Sequence, residues 1–167
     1  MSCKLEKYIQ NMIKNNISSD EILKNVGKFQ DDKESKAYII NFLDNFKVYN
    51  NLDCLRIVLK TCFVWKDKIL SEHLVDFIDK FLNLNESEMF EIKAEIDFAI
   101  NIISMLPCNK SLQVLEKYAF REDLENLNLS AIRAIYCLQT TESKNILFKL
   151  SKHPDEVIAE TAANLLK

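Results

Sequence analysis

Apolar residues in this chain fall at the spacing of a helix face, and one spacing returns four times. Counting from Leu55, Ile92, Leu127 and Ile158, the positions at plus four, plus seven and plus eight are apolar: Leu55/Leu59/Cys62/Phe63, Ile92/Ile96/Ala99/Ile100, Leu127/Ala131/Ala134/Ile135 and Ile158/Ala162/Leu165/Leu166. Apolar recurrence every three to four residues predicts helices with one stripe turned inward. The four starts lie 37, 35 and 31 residues apart (55 to 92, 92 to 127, 127 to 158), which leaves room for one further helix in each interval. The predicted unit is a helix pair stacked on the next pair.

The same spacing, with turn and capping signals, divides the chain into about ten helices. Leu5, Tyr8, Ile9, Met12 and Ile13 define the first. Ser18 with Glu21 has the spacing of a capping box that opens a second, reaching about Phe29. A third is expected from Lys33 to Phe46, a fourth from Leu52 to Trp65 and a fifth from Ile69 to Leu82. A sixth starts after Asn85-Glu86-Ser87 and runs to Leu106, where Pro107 stops it. Lys110 to Phe120, Leu124 to Gln139, Ser143 to Ser151 and Pro154 to Leu166 complete the series, with Pro154 expected in a first turn, where its missing N-H costs nothing. No linker interrupts it. The expected fold is all-α, a short α-solenoid of about five antiparallel helix pairs forming a single repeat domain over residues 1–167.

The C-terminal third carries a resemblance. The stretch SAIRAIYCL (Ser130 to Leu138), followed by TTESKNILFKLSKHPDEVIAETAANLL (Thr140 to Leu166), resembles HEAT repeats of the short bacterial type. In those repeats an acidic-proline turn precedes a valine and an alanine-rich second helix. Here His153-Pro154-Asp155-Glu156-Val157 matches the turn, and Ala162, Ala163 and Leu165 match the packing face. The resemblance implies a HEAT-like stack and leaves function open, since such folds carry sites of many kinds.

Composition narrows the class. One glycine and two prolines in 167 residues leave almost none of the turn chemistry that hairpins and phosphate-binding loops require. No run is long and apolar enough to span a bilayer, and the opening MSCKLEKYIQNMIKNN sets charges within its apolar spacing, so a cytoplasmic chain without a membrane partner is expected. Cys3, Cys54, Cys62, Cys108 and Cys137 form an odd set without a C-x-x-C pair, which suits reduced, mostly buried thiols.

Candidate chemistry is sparse. His73 and His153 stand eighty residues apart and form neither an H-x-x-x-H pair nor a cysteine-histidine zinc pattern, so neither enzyme activity nor a metal or other cofactor is expected. Both histidines are expected at solvated or turn positions. With 22 basic against 25 acidic residues and a net charge of −3, the chain lacks the dense basic stripe that phosphate contacts demand, so nucleic acid is not an expected partner.

The face of each second helix opposite its core stripe carries more information. At plus two, plus six and plus nine lie Ile57, Thr61 and Val64; Ala94, Phe98 and Asn101; Leu129, Arg133 and Tyr136; Glu160, Asn164 and Lys167. The first three sets are more apolar than a plain solvated face, which fits either lateral packing between repeats or a binding groove. In a groove, Trp65, Phe98, Arg133 and Tyr136 are the expected anchors, because tryptophan, tyrosine and arginine dominate binding hot spots. Asn101 is a further expected contact, Glu160 and Asn164 in the polar last turn would form the rim, and the acidic run Glu88, Glu91 and Glu95 would steer a basic partner.

The expected function is protein binding by a monomer that forms a heterodimer. Its most concrete form is an immunity protein that neutralises a basic, nuclease-like toxin, since known immunity proteins include compact helical chains similar in their HEAT-like repeats. The alternatives are a HEAT-like scaffold or adaptor for a peptide or subunit and, third, a HEAT-like DNA repair enzyme using Asp97 with Trp65 or Phe98.

Overall fold

The structure is a computed structural model that describes residues 3–124 and 126–167. Every regular element among them is helical. Ten helices of eight residues or more are α1 (Lys4–Lys14), α2 (Ser19–Val26), α3 (Lys33–Asp44), α5 (Leu52–Trp65), α6 (Lys68–Asp79), α8 (Lys93–Met105), α9 (Ser111–Ala119), α10 (Leu127–Cys137), α11 (Thr141–Leu150) and α12 (Glu156–Leu165). Two single turns, α4 (Phe46–Tyr49) and α7 (Glu86–Met89), and a 3-10 turn at Gly27–Phe29 complete the order.

Side-chain caps set several of the starts. Asp32, Asn51 and Asp155 accept from the backbone N-H three residues on, at 3.2, 2.9 and 3.0 Å, satisfying donors that a helix start leaves without partners. Asn85 with Glu88 and Thr140 with Ser143 form reciprocal capping boxes. Ser18 stands at the N-cap of α2 but makes no side-chain cap bond, so the predicted Ser18–Glu21 box does not form. Pro154 precedes the Asp155 cap and lies outside α12, not in its first turn. The one glycine, Gly27, is right-handed, and positive φ angles fall instead to Asn16, Asn50, Lys66 and Gln139 at or just past helix ends and to Asn126 at the start of α10. Asparagine tolerates that region better than most residues, which is how a chain so poor in glycine still ends its helices.

The predicted sixth helix divides. Its first turn closes as α7, Ile92 at ψ −1° interrupts, and α8 starts at Lys93. The third likewise stops at Asp44, and Phe46 opens α4. The start predicted for the eighth, at Leu124, runs over Glu125, which lies outside the described residues; α10 begins at Leu127.

The chain forms two compact units, Met1–Leu74 and Val75–Lys167, with the division inside α6. In the first, α5 packs on α1, α2 and the 3-10 turn, and α1 packs on α3. Surrounded in this way, α5 is buried over most of its circumference: Leu55, Val58, Leu59 and Thr61 are fully enclosed, and Ile57 nearly so. In the second, α10 packs on α8, α9, α11 and α12, and its Leu127, Ala131, Ala134 and Ile135 are all buried. Ile92, Ile96, Ala99 and Ile100 of the preceding stripe are buried as well. Three predicted stripe positions are not: Phe63 is 36% exposed, Leu166 is 40% exposed and Leu165 is half-buried.

Within each unit, side chains tie one helix layer to another at separations close to the predicted step. Trp65 Nε1 donates to Val26 O across 39 residues and Gln30 Nε2 to Trp65 O across 35. Tyr118 donates to Ile78 O across 40, Lys117 pairs with Asp79 across 38, and Lys110 with Asp76 across 34. Arg121 donates to the carbonyls of Leu82 and Leu84 and pairs with Asp123, pinning the turn that follows α6.

Candidate functional site

The second unit holds most of the predicted contact residues. α8 packs beside α10 and α10 beside α12, so the outward residues of these three helices sit on neighbouring supports. Arg133 is exposed and Tyr136 is 42% exposed on α10. Phe98 is half-buried and Asn101 exposed on α8, where Asn101 Nδ2 donates to Asp97 O at 2.9 Å. Glu160 and Asn164 are exposed on α12, and Asn164 Oδ1 accepts from Lys167 Nζ at 2.8 Å. Beside Tyr136 opens a small pocket of about 170 Å³ lined by Leu147, Leu165, Leu166 and the Lys144 stem, among others. It offers an apolar edge next to an aromatic ring.

Two predicted contact residues lie in the interior instead. Trp65 is 2% exposed, with its indole spent on Val26 O, and is a core residue of the first unit. Glu95 is 4% exposed on the inward side of α8. The acidic run therefore presents only Glu88 and Glu91 to solvent, and Glu88 is held in its capping box by a 3.0 Å bond from Asn85 N. Between them Phe90 is 80% exposed. Nothing in the apolar spacing marks Phe90; the signal is the break between α7 and α8, which turns it out of both helices. Met105, 51% exposed, continues the α8 row Ala94, Phe98, Asn101 by one turn and was also absent from the sequence-based set.

The titratable groups with displaced pKa values act structurally. Burial pushes the Cys62 and Cys54 thiols up, which keeps them protonated and unreactive, while Cys137 is exposed. Burial likewise raises Tyr118, whose hydroxyl donates to Ile78 O at 2.7 Å. Hydrogen bonding from Arg121 holds Asp123 below the usual carboxylate range. His153 stands in the turn between α11 and α12, as expected, and is enclosed there: its side chain is 9% exposed, Nδ1 accepts from Asp155 N at 3.2 Å, and its ring lies against Phe120. His73 lies 3.0 Å from Asp44 Oδ1. Among the described residues no group of three or more His, Cys, Asp or Glu side chains is placed to hold a metal ion, and no helix is long and apolar enough to cross a membrane.

Compared with protein-family profiles, curated proteins and solved structures, the chain matches none.

Proposed function

We propose that the chain is a protein-binding module of HEAT-like helix pairs, and specifically an inhibitor of the immunity-protein kind that neutralises a basic, nuclease-like toxin. The observation that carries the reading is the set of side chains left outward on α10 and on α8 and α12, which both pack against it: half-buried Phe98, exposed Met105, Tyr136 and Arg133, with exposed Glu160 and Asn164 on α12. Aromatic and arginine side chains within a polar border are the composition of a binding hot spot. Side-chain links one predicted repeat apart support the stacked-pair architecture, because helix pairs that contact only their neighbours bond at about one period. Glu88 and Glu91 beside exposed Phe90, in a chain of net charge −3, favour a positively charged partner.

The test is affinity capture with the purified chain, followed by assay of the captured protein. Recovery of a basic enzyme whose activity falls when the chain is added supports the inhibitor. Capture of a partner with no activity to inhibit gives the adaptor reading, and retention of nucleic acid alone overturns both.

A further inference from the structure

The first unit carries a pocket of its own. Elements α1, α3, α4 and α5 enclose a pocket of about 380 Å³ whose lining includes Glu6, Tyr38, Asn41, Phe42, Tyr49 and Asn51. Three of these six are aromatic, one is a carboxylate, and the described lining contains no lysine or arginine. The rings are fixed in place. Phe42 and Tyr49 stack with centroids 5.4 Å apart and planes 6° from parallel. Asn41 Nδ2 donates to the Tyr49 hydroxyl at 2.8 Å, and the Tyr38 hydroxyl lies 3.3 Å from Cys54 Sγ. Phe42 is buried beneath, whereas Tyr49 is 49% exposed and keeps a ring face open.

We infer that this pocket binds a guanidinium group on an alkyl stem, with Glu6 supplying the counter-charge and the exposed Tyr49 ring, beside half-buried Tyr38, the stacking surface. Aromatic faces carry negative quadrupole potential and attract a cation held within about 6 Å. A guanidinium also stacks in the plane and donates in a fixed fork, which suits a site that combines aromatic faces with a carboxylate. An anion would meet Glu6 and the negative ring faces, and a purely apolar group would strand the Glu6 carboxylate away from water. Burial and then the neighbouring Cys54 raise the Tyr38 phenol, and burial raises the Cys54 thiol against the hydrogen bond from Tyr38; the Glu6 charge makes a smaller upward contribution to both, as a negative field at the site requires. The volume is within the range of sites that take small ligands or a single side chain. The binding stands whether or not the surface in the second unit meets a basic partner.

The experiment is a titration of the full chain followed by backbone amide shifts, using N-acetyl-Gly-Arg-Gly-amide, butylguanidinium and, as neutral isostere, N-acetyl-Gly-citrulline-Gly-amide. Both cations are expected to give saturable shifts at Tyr38, Asn41, Tyr49 and Asn51, with the citrulline peptide at least tenfold weaker. A tripeptide that binds about tenfold tighter than butylguanidinium identifies a polypeptide arginine as the occupant, and equal affinities identify a free small guanidine. Glu6→Gln and Tyr49→Leu should each weaken the tripeptide roughly tenfold while thermal melting shows the fold retained. Equal binding of citrulline and arginine peptides, absence of saturable shifts with either cation, or undiminished affinity in a folded Glu6→Gln variant overturns the assignment.

Discussion

Trp65 and Val26 are joined by a hydrogen bond of 2.9 Å from the indole Nε1 to the backbone carbonyl, 39 residues apart in the chain. The bond closes the C-terminal end of α5 onto the C-terminal end of α2, and Gln30 Nε2 returns the link by donating to Trp65 O at 3.0 Å. Burial of a large indole is stable only where its N-H finds an acceptor, and the last carbonyls of a helix are acceptors without helical partners.

Trp65→Phe keeps most of the apolar contact but removes the donor, leaving Val26 O buried without its partner. The expected cost is about 1 to 3 kcal/mol, read as a lower midpoint in urea unfolding at unchanged slope. A midpoint equal to that of the parent chain would show that the bond adds nothing to stability.

Core packing between helices gives a pair of opposed expectations. Ala131 and Ile135 are fully buried on α10, the helix with neighbours on all sides of its stripe. Ala131→Leu should overpack and cost roughly 1 to 3 kcal/mol, and Ile135→Ala should leave a cavity and cost about 2 to 5 kcal/mol. Neutral behaviour of both in calorimetric melting would remove the register on which the helix pairs are drawn.

What the sequence made legible was angular: which residues of a helix share a face. Thirteen-residue α8 and eleven-residue α10 bury the stripes that the spacing marks, and α5 spans Leu52–Trp65 as expected. What it could not supply was how many neighbours each face meets. On α5 the face carrying Ile57 and Thr61 is enclosed as fully as the stripe opposite, because α1, α2 and the 3-10 turn surround it, and Trp65 goes inward for the same reason. On α12 the stripe ends at Leu165 and Leu166, half-buried and exposed, with α10 and α11 as the packed neighbours. Glu95 shows the converse: a charged residue reads as surface in a sequence, yet it lies between Ile92 and Ala99 on the inward side of α8. Phe90 escaped notice because exposure there depends on a break between two short helices, which periodicity does not report.

Acid should loosen the first unit through Lys36 and Asp67, which pair at 2.6 Å. Burial alone would raise the Asp67 carboxyl, but the hydrogen bond from Lys36 and the backbone bonds from Ile69 and Leu70 outweigh it and hold the group below its ordinary value. A carboxylate lowered on folding adds stability that is fully present above its unfolded value of about 3.9 and is lost as pH falls through the lower folded value. Melting temperature should therefore decline below about pH 4, and the decline should be shallower in Asp67→Asn, which starts less stable at neutral pH. Parallel pH profiles for the two proteins would contradict the assignment.

The proposed binding surface makes a kinetic prediction that separates charge from contact. An inhibitor of a lethal enzyme needs nanomolar affinity or better, about −12 kcal/mol, since weaker binding leaves active enzyme free. Long-range attraction acts before contact and short-range packing after it, so the two should appear in different rate constants. Replacing Glu88 and Glu91 by glutamine, or raising salt, should slow association severalfold with little change in dissociation; Glu95, being buried, belongs outside this set. Tyr136→Ala removes a half-exposed ring beside the Leu147, Leu165 and Leu166 pocket and should raise the dissociation rate by tenfold or more, the loss of about 2 kcal/mol expected of a hot spot. Phe90→Ala tests whether the turn between α7 and α8 belongs to the same interface: if it does, dissociation quickens there too, and if only α8, α10 and α12 meet the partner, it does not. Surface plasmon resonance against the captured partner resolves both rates. An association rate indifferent to salt and to the two glutamates would end the argument for a basic partner, and a Tyr136→Ala variant that dissociates as slowly as the parent would move the interface off α10.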